Sequence, residues 1–284
     1  MHMQSILRFA GIALTLLLAG SMLAAQPTPP PTPGPTSAPA SGSAASTSQA
    51  EPISPQLEKV LDNCEAAGDK VLAIRAKIKY ERLQKLVDNV TTREGSVLYM
   101  RKVQADQPDA KFGRIQFDTL KEDLYVSTKK EIYSFYDRYV HELNEKTQQL
   151  VHRELVPAGQ VIDPFRLGEG VFPIPFGQKK KDMLAHFSIR LIPATDKDPA
   201  GCDHLELTPR PDTDMARRYK GKKLLLHLYI DGRLNLPVRI VNETRDERIT
   251  VDFTAIEINP KVTDNDFKLE KPPGFQETTV PLNK

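Results

Sequence analysis

The side chains of this sequence that could do chemistry are few and scattered. His141, His152, His186, His204 and His227 show none of the His-Glu-x-x-His type of spacing that sets two metal ligands on one helix face. Cys202-Asp203-His204 is a compact trio of ligand types, but a closed site needs further ligands from elsewhere, so no metal is expected there. No Gly-x-Ser-x-Gly elbow exposes a nucleophilic serine, and no Gly-rich loop cradles phosphate. Acidic pairs such as Glu142 and Glu145 have the pattern of a solvated face rather than a hydrolase dyad, and His186 and His227 adjoin apolar runs as edge or core histidines. The sequence asks for neither catalysis nor a cofactor. What it offers is apolar surface, in a regular arrangement.

That arrangement is clearest between Lys223 and Thr278. Leu224, Leu226, Leu228 and Ile230 share one face of a strand, and Asp231-Gly232 suits a tight two-residue turn because both positions tolerate positive φ. The return strand sets Leu234, Leu236, Val238 and Ile240 on one face, the third sets Ile249, Val251 and Phe253, and a short fourth carries Phe267 and Leu269 into Pro272-Pro273-Gly274. Period two predicts an antiparallel sheet with one apolar and one wet face. Something must cover the apolar face, either the chain itself or a ligand.

Upstream, Ser54 and Pro55 open a helix whose Leu57, Val60, Leu61 and Cys64 form one apolar stripe, with Gly68 as a stop. Residues 71–82 fit a strand or a continuing helix by periodicity alone. Residues 95–103 pair with 111–118, 124–127 with 131–136, and 139–156 continue as a polar strand. The stretch from Asp163 to Gly177 is apolar but broken by Pro and Gly, so it is neither a central strand nor a regular helix. It must pack on something, as a lid or as a buried loop. A short helix over 182–186, a strand over 187–192 and another over 204–208 follow.

The chain has 284 residues, a net charge of +2 and 39% hydrophobic content, enough for one core and too balanced for a nucleic-acid surface. Residues 1–25 read as a secretory signal: Arg8 precedes the apolar run Ile12 to Leu18, and Leu23-Ala24-Ala25 supplies a cleavage site. Leu17-Leu18-Ala19-Gly20-Ser21 has serine where a lipidated cysteine would stand. Residues 26–55, rich in Pro, Ala, Ser and Thr, cannot bury enough surface to order themselves and read as a disordered linker, leaving 56–284 as the folded domain. An export compartment permits a Cys64–Cys202 disulfide; two buried thiols are the other reading. Asn89-Val90-Thr91 and Asn242-Glu243-Thr244 match the glycosylation pattern, which matters only in a eukaryotic secretory route.

The Leu-rich strand, the Asp231-Gly232 turn, Ile256-Glu257-Ile258-Asn259 and the closing Asp266-Phe267-Lys268-Leu269-Glu270-Lys271-Pro272-Pro273-Gly274-Phe275 resemble the C-terminal half of the periplasmic outer-membrane lipoprotein carriers, the LolA-type fold shared with the LolB receptors. Lys130 to Asp137 resembles their Asp-Gly-Lys-x-Leu-Trp-x-Tyr strand, with Lys129 at the usual Gly and Tyr133 at the usual Trp. The strand ending in Pro209-Arg210 resembles their Leu-Thr-Pro-Lys step. The resemblance spans residues 57–278 and implies a mainly β (α+β) fold: an incomplete, strongly curved antiparallel β-barrel covered by an N-terminal helix and a mid-chain lid.

By the same resemblance the protein is a non-catalytic periplasmic monomer that carries lipoprotein acyl chains, or another lipid, from an inner-membrane donor complex to an outer-membrane acceptor. The cavity lining would be Leu72, Ile74, Ile78, Leu98, Met100, Ile115, Phe117, Leu224, Leu226, Leu228, Val238, Ile240, Val251 and Phe253. The lid would carry Phe165, Leu167, Val171, Phe172, Ile174 and Phe176. Arg101 matches the arginine that controls the lid in those carriers, though the proline that follows it there is absent here and Pro108 comes only after an insertion. The alternative is an extracytoplasmic sensor or interaction domain of the same fold, as in the RseB-type regulators, which bind a protein and carry a further C-terminal domain.

Overall fold

The computed structural model describes residues 53–105, 108–160, 163–167 and 174–282. The signal and nearly all of the linker lie outside the described residues, as do Val171 and Phe172 of the expected lid.

Helix α1 (Pro55–Asp69) buries the expected stripe of Leu57, Val60, Leu61 and Cys64. Residues after it settle as a strand, β1 (Ala73–Gln84), followed by β2 (Asn89–Lys102), β3 (Ala110–Glu122), β4 (Tyr125–Ser127), β5 (Glu131–Tyr136), β6 (Tyr139–Asn144) and β7 (Gln149–Glu154). A short helix α2 (Lys180–His186) leads into β8 (Phe187–Ile192) and β9 (Cys202–Pro209). After α3 (Asp214–Arg218) come β10 (Leu225–Asp231), β11 (Pro237–Glu243), β12 (Glu247–Ile258) and β13 (Gln276–Val280). All strands join one curved sheet in the order β13-β7-β6-β5-β3-β2-β1-β12-β11-β10-β9-β8, with β4 on β3. Pairing is antiparallel except for β13, which lies parallel to β7. The sheet is not closed: β13 and β8 are its two ends.

This order explains the middle of the chain. β7 lies one strand in from one end, and β8 is the other end. The described parts of the connecting segment, residues 163–167 and 174–179, pack on the concave face of the sheet. Phe165 sits edge-on to Tyr99 of β2 and Phe135 of β5, with ring centroids 5.3 and 6.0 Å apart, and Phe176 packs on Phe253 of β12 at 5.2 Å.

Four local expectations are corrected. Asp231-Gly232 is no two-residue turn: the Asp231 carboxylate accepts the amides of Arg233 and Leu234, and Asn235 takes φ 52°, so the loop extends to Leu236 and β11 begins at Pro237. Residues 139–156 form a hairpin, β6 to β7, rather than one strand. β4 pairs with β3, not with β5. Residues 264–267 form a 3-10 turn closed by a Thr263/Asp266 capping box, so the fourth strand of the meander is absent and a later one, β13, takes its place at the opposite end of the sheet.

The last correction has a packing consequence. Phe267 is fully buried on the convex face, its ring 5.5 Å from Phe112 and its carbonyl accepting the Ser134 hydroxyl at 2.5 Å. Leu269 and Phe275 then cover Ile132, Leu143 and Leu150. On β5 this cover lies on the face opposite to the one that Phe165 meets, so that strand is covered on both sides.

A histidine pair lies under this strap. His141 and His152 face each other across β6 and β7 with Nδ1 atoms 2.6 Å apart, Tyr136 stacks on His141, and His152 Nε2 meets Glu277 of β13 at 3.0 Å. Burial, then the facing His152, push His141 down to about 4 from an ordinary 6.5. As pH falls through that window the unfolded chain takes up a proton that folded His141 refuses, so stability is full above about 6.5 and is lost toward 4. Urea unfolding followed across the window should show this slope in the wild type and a flatter one in His141→Gln.

Candidate functional site

The concave face is built from alternate residues of the central strands. Register sets Ile78 opposite Gly95 and Phe253, Ala76 opposite Val97, Val97 opposite Ile115, and Ile115 opposite Tyr133. On the other side Val251 faces Tyr80 and Ile240, and Ile240 faces Leu228. Paired residues point the same way in a sheet, so these side chains form one continuous apolar surface. Ile74, Ile78, Ile115, Phe117, Leu224, Leu226, Leu228, Ile240, Val251 and Phe253 are all buried, and Val238 is half-buried.

Three of the residues expected to line it do not. Leu72 precedes β1, its amide held by the Asn259 side chain at 2.7 Å, and its own side chain is 47% exposed. Leu98 pairs with Arg75 and Arg114 on the convex face. Met100 is buried, but beside Ala73 and Phe112, under the C-terminal strap. On β2 it is Val97 and Tyr99 that face inward. The run Val97-Leu98-Tyr99-Met100 is apolar on both parities because both faces are covered here, so alternation had nothing to choose between. Tyr80, Tyr99 and Phe135 are the other lining residues that sequence reasoning missed, although all three are aromatics of a suitable size.

Of the lid, Phe165, Ile174 and Phe176 are buried at 1% exposure or less, while Leu167 is half-buried. Gly113 is what lets Phe165 in: a Cβ there would stand 2.5 Å from the ring. The two described arms of the lid are stitched by Gln178, whose Oε1 accepts the Leu167 amide at 2.8 Å and whose Nε2 donates to the Phe165 carbonyl at 2.8 Å.

Polar contacts ring this apolar plug. Arg101 Nη2 donates to the Asp69 carbonyl at the C-terminus of α1, at 2.5 Å, and Nη1 lies 3.6 Å from Asp109. A cation at a helix C-terminus is favoured by the unpaired carbonyls there. Lys179, on the lid, pairs with the Asp69 carboxylate and with Glu65, while Lys180 reaches Glu58 and Asp62 and its amide donates to Glu65. Lys111 pairs with Asp163 at the other arm. Arg101, Asp109, Lys111, Asp163 and Lys179 share the walls of one small cavity of about 90 Å3. The expected switch residue therefore meets the helix end to which the lid is also fastened, not the lid itself. Gly68 and Gly177 complete the seam, an added Cβ at Gly68 falling 3.2 Å from Gly177 Cα.

At the far end of β2 the lining turns polar. Arg93 pairs in register with Tyr80 and is 7% exposed, its Nε 3.4 Å from Glu131; burial lowers its pKa and Glu131 opposes that shift. A larger groove of about 770 Å3 is walled by Lys77, Lys79, Glu94, Arg239 and Asp252 together with Ile78, Gly95, Val238 and Phe253 of the same strands.

The cysteines are not bonded to each other. Cys64 sits in the buried stripe of α1, where burial pushes its thiol up to about 11. Cys202, whose Sγ lies 4.0 Å from the Ala200 carbonyl, is on β9 with the convex-facing His204. There His204 bridges Asp198, 3.4 Å away, and His227, 2.9 Å away. Among the described residues no group of three His, Cys, Asp or Glu side chains is placed to hold a metal ion, and no helix is long and apolar enough to cross a membrane.

The structure is the expected mainly β (α+β) architecture, an open and curved antiparallel sheet with an N-terminal helix and an irregular apolar cover. The sequence matches no protein-family model and no curated protein. Among solved structures the chain is similar to an uncharacterized conserved protein from Thermus thermophilus, at 14% identity over 79% of this chain and 99% of that one, with a TM-score of 0.44. It is also similar to LprF from Mycobacterium bovis, at 14% identity over 76% and 99% with a TM-score of 0.38. A third is the lipoprotein LppX from Mycobacterium tuberculosis, at 9% identity over 75% and 100% with a TM-score of 0.40.

Proposed function

We propose that this chain is a non-catalytic, exported binder of acyl chains, and that its ligand enters the concave face by displacing the lid. The observation that carries this reading is how that face is sealed. An apolar sheet surface is closed by Phe165, Ile174 and Phe176 on an irregular segment, fastened at its rim by ion pairs and one helix-end hydrogen bond. Regular secondary structure laid on the sheet would be a permanent cover. Three side chains on an irregular strap cost far less to lift, and an acyl chain regains about 0.8 kcal/mol for each methylene it buries in their place.

The remaining parts fit the same route. In this reading 1–25 directs export and is removed, 26–55 is the linker, and 56–284 is the binding domain. The cargo is a lipoprotein's acyl chains or a free lipid, received at one membrane and delivered at another.

Arg101→Leu tests the reading. It removes a charge-assisted bond to the Asp69 carbonyl worth about 1.5 kcal/mol, which weakens the fastening of α1 beside the lid. The affinity for a fluorescent fatty-acid probe should rise about tenfold as the open state gains population. If wild type and variant both exclude the probe, the concave face is simply a packed core. The domain then serves as a protein-interaction module.

A further inference from the structure

We propose that the C-terminal arm of the lid is held by a charge-operated latch between α1 and α2, which opens when its ion pairs are screened. The proposal rests on the reading of the concave face as a lidded site, and adds what governs the lid. Glu58, Asp62, Glu65 and Asp69 follow one another at intervals of four, three and four residues, so they form a single acidic stripe along α1. Such a stripe is unfavourable by itself. Like charges one turn apart repel, and Glu65 and Asp69 stand near the negative end of the helix, whose last turn holds no basic residue.

The compensation comes from the lid. Lys179 pairs with Asp69 and with Glu65, and Lys180 pairs with Glu58 at 3.0 Å and Asp62 at 2.7 Å. The exchange runs both ways. Lys179 is the N-cap residue of α2 and its side chain caps nothing, so the Glu65 carboxylate of α1 accepts the Lys180 amide instead, at 3.1 Å. Each of these helix ends is completed by the other helix. Gly177, with φ 71°, stands between this latch and Phe176, the fully buried plug. Plug and latch answer differently to the solvent. The plug is apolar and keeps its hold in moderate salt. The carboxylates of Glu58, Asp62 and Asp69 are about half exposed, so dissolved ions screen their pairs.

The test is hydrogen exchange of the lid amides in the full mature chain, at about 10 mM and about 500 mM sodium chloride, with binding of the fluorescent fatty-acid probe measured alongside. Exchange between Ile174 and Lys179 should quicken about fivefold at the higher salt, and probe affinity should rise by about the same factor. Lys179→Met/Lys180→Met should exchange at low salt as the wild type does at high salt, and should lose the salt response. Lys180→Glu should open the lid, and adding Glu58→Lys and Asp62→Lys should close it again. Lid exchange that ignores salt in the wild type overturns the proposal. So does a salt response that survives the loss of both lysines, or a charge exchange that restores nothing. Salt-dependent lid exchange with no probe bound at either salt leaves the latch in place and overturns the acyl-binding reading instead.

Discussion

Phe165→Ala should destabilise the protein by about 3–4 kcal/mol and at the same time raise its affinity for a fluorescent acyl probe about tenfold. The two effects have one origin. Phe165 is 1% exposed and fills the concave face between Tyr99 and Phe135, so removing its ring leaves a void where the proposed ligand sits. In a core with no other purpose the void would be a pure loss, and no probe would follow. In a site closed by its own lid, the energy that held the lid down is energy a ligand has to overcome, and the part of the loss that returns as binding, about 1.4 kcal/mol, gives the tenfold gain. Gly113→Ala is the companion experiment. Its Cβ would fall 2.5 Å from the Phe165 ring, so it pushes the ring off the sheet without deleting it. It should raise probe binding as well, with a smaller loss of stability. Calorimetry alongside probe titration separates the two quantities for each variant.

Gly95→Ala should have the largest effect on folding of any single methyl added to the sheet, more than about 4 kcal/mol, enough to leave little folded protein. The β2–β3 ladder shifts register between Glu94 and Gly95, which brings the β3 backbone close to the Gly95 Cα. A Cβ there would stand 1.8 Å from the Gln116 carbonyl oxygen and 2.9 Å from Phe117 Cα. Neither is the end of a flexible side chain that could swing away, so the strands themselves would have to part. The bulge also places Phe117 beside Gly95, where its ring meets Tyr80 at 6.1 Å and Tyr133 at 6.5 Å. Circular dichroism and thermal melting of the soluble fraction would report the loss, and a variant with wild-type melting would refute the geometry assigned to the bulge.

The parts of this architecture that the sequence made legible are those where one physical signal acted alone. The stripe Leu57, Val60, Leu61 and Cys64 has only a helical reading, and it is the buried face of α1. Ile249, Val251 and Phe253 alternate with charged or polar neighbours, and they are buried as a set. The Pro- and Gly-broken stretch after Asp163 could be neither strand nor helix, and its described parts are irregular and apolar against the sheet. Legibility failed where two signals competed. β2 is apolar on both parities, so alternation gives Leu98 and Met100 the face that belongs to Val97 and Tyr99. Asp231-Gly232 is a good two-residue turn in isolation, but the Asp231 carboxylate can also gather the next amides, and it does. Phe267 and Leu269 alternate like a strand, while Thr263 and Asp266 cap a 3-10 turn that prevents one. The return of β13 to the far end of the sheet left no local trace, since Gln276 to Val280 carries only one residue with strong apolar character. The rim of the site was legible only through Arg101, and even there the partner, a helix-end carbonyl, depends on where α1 stops.

The claim at the centre of this account is that the concave face is a binding site held shut by its own lid. Mass spectrometry of organic extracts from the mature protein, purified from its native host, tests that claim most directly, with Arg101→Leu run alongside. The account predicts acylated species bound to the wild type, and in a different amount on the variant whose helix-end fastening is gone. A wild type and a variant that both yield no lipid, and that both exclude an added acyl probe, would contradict it and leave the face as a packed core.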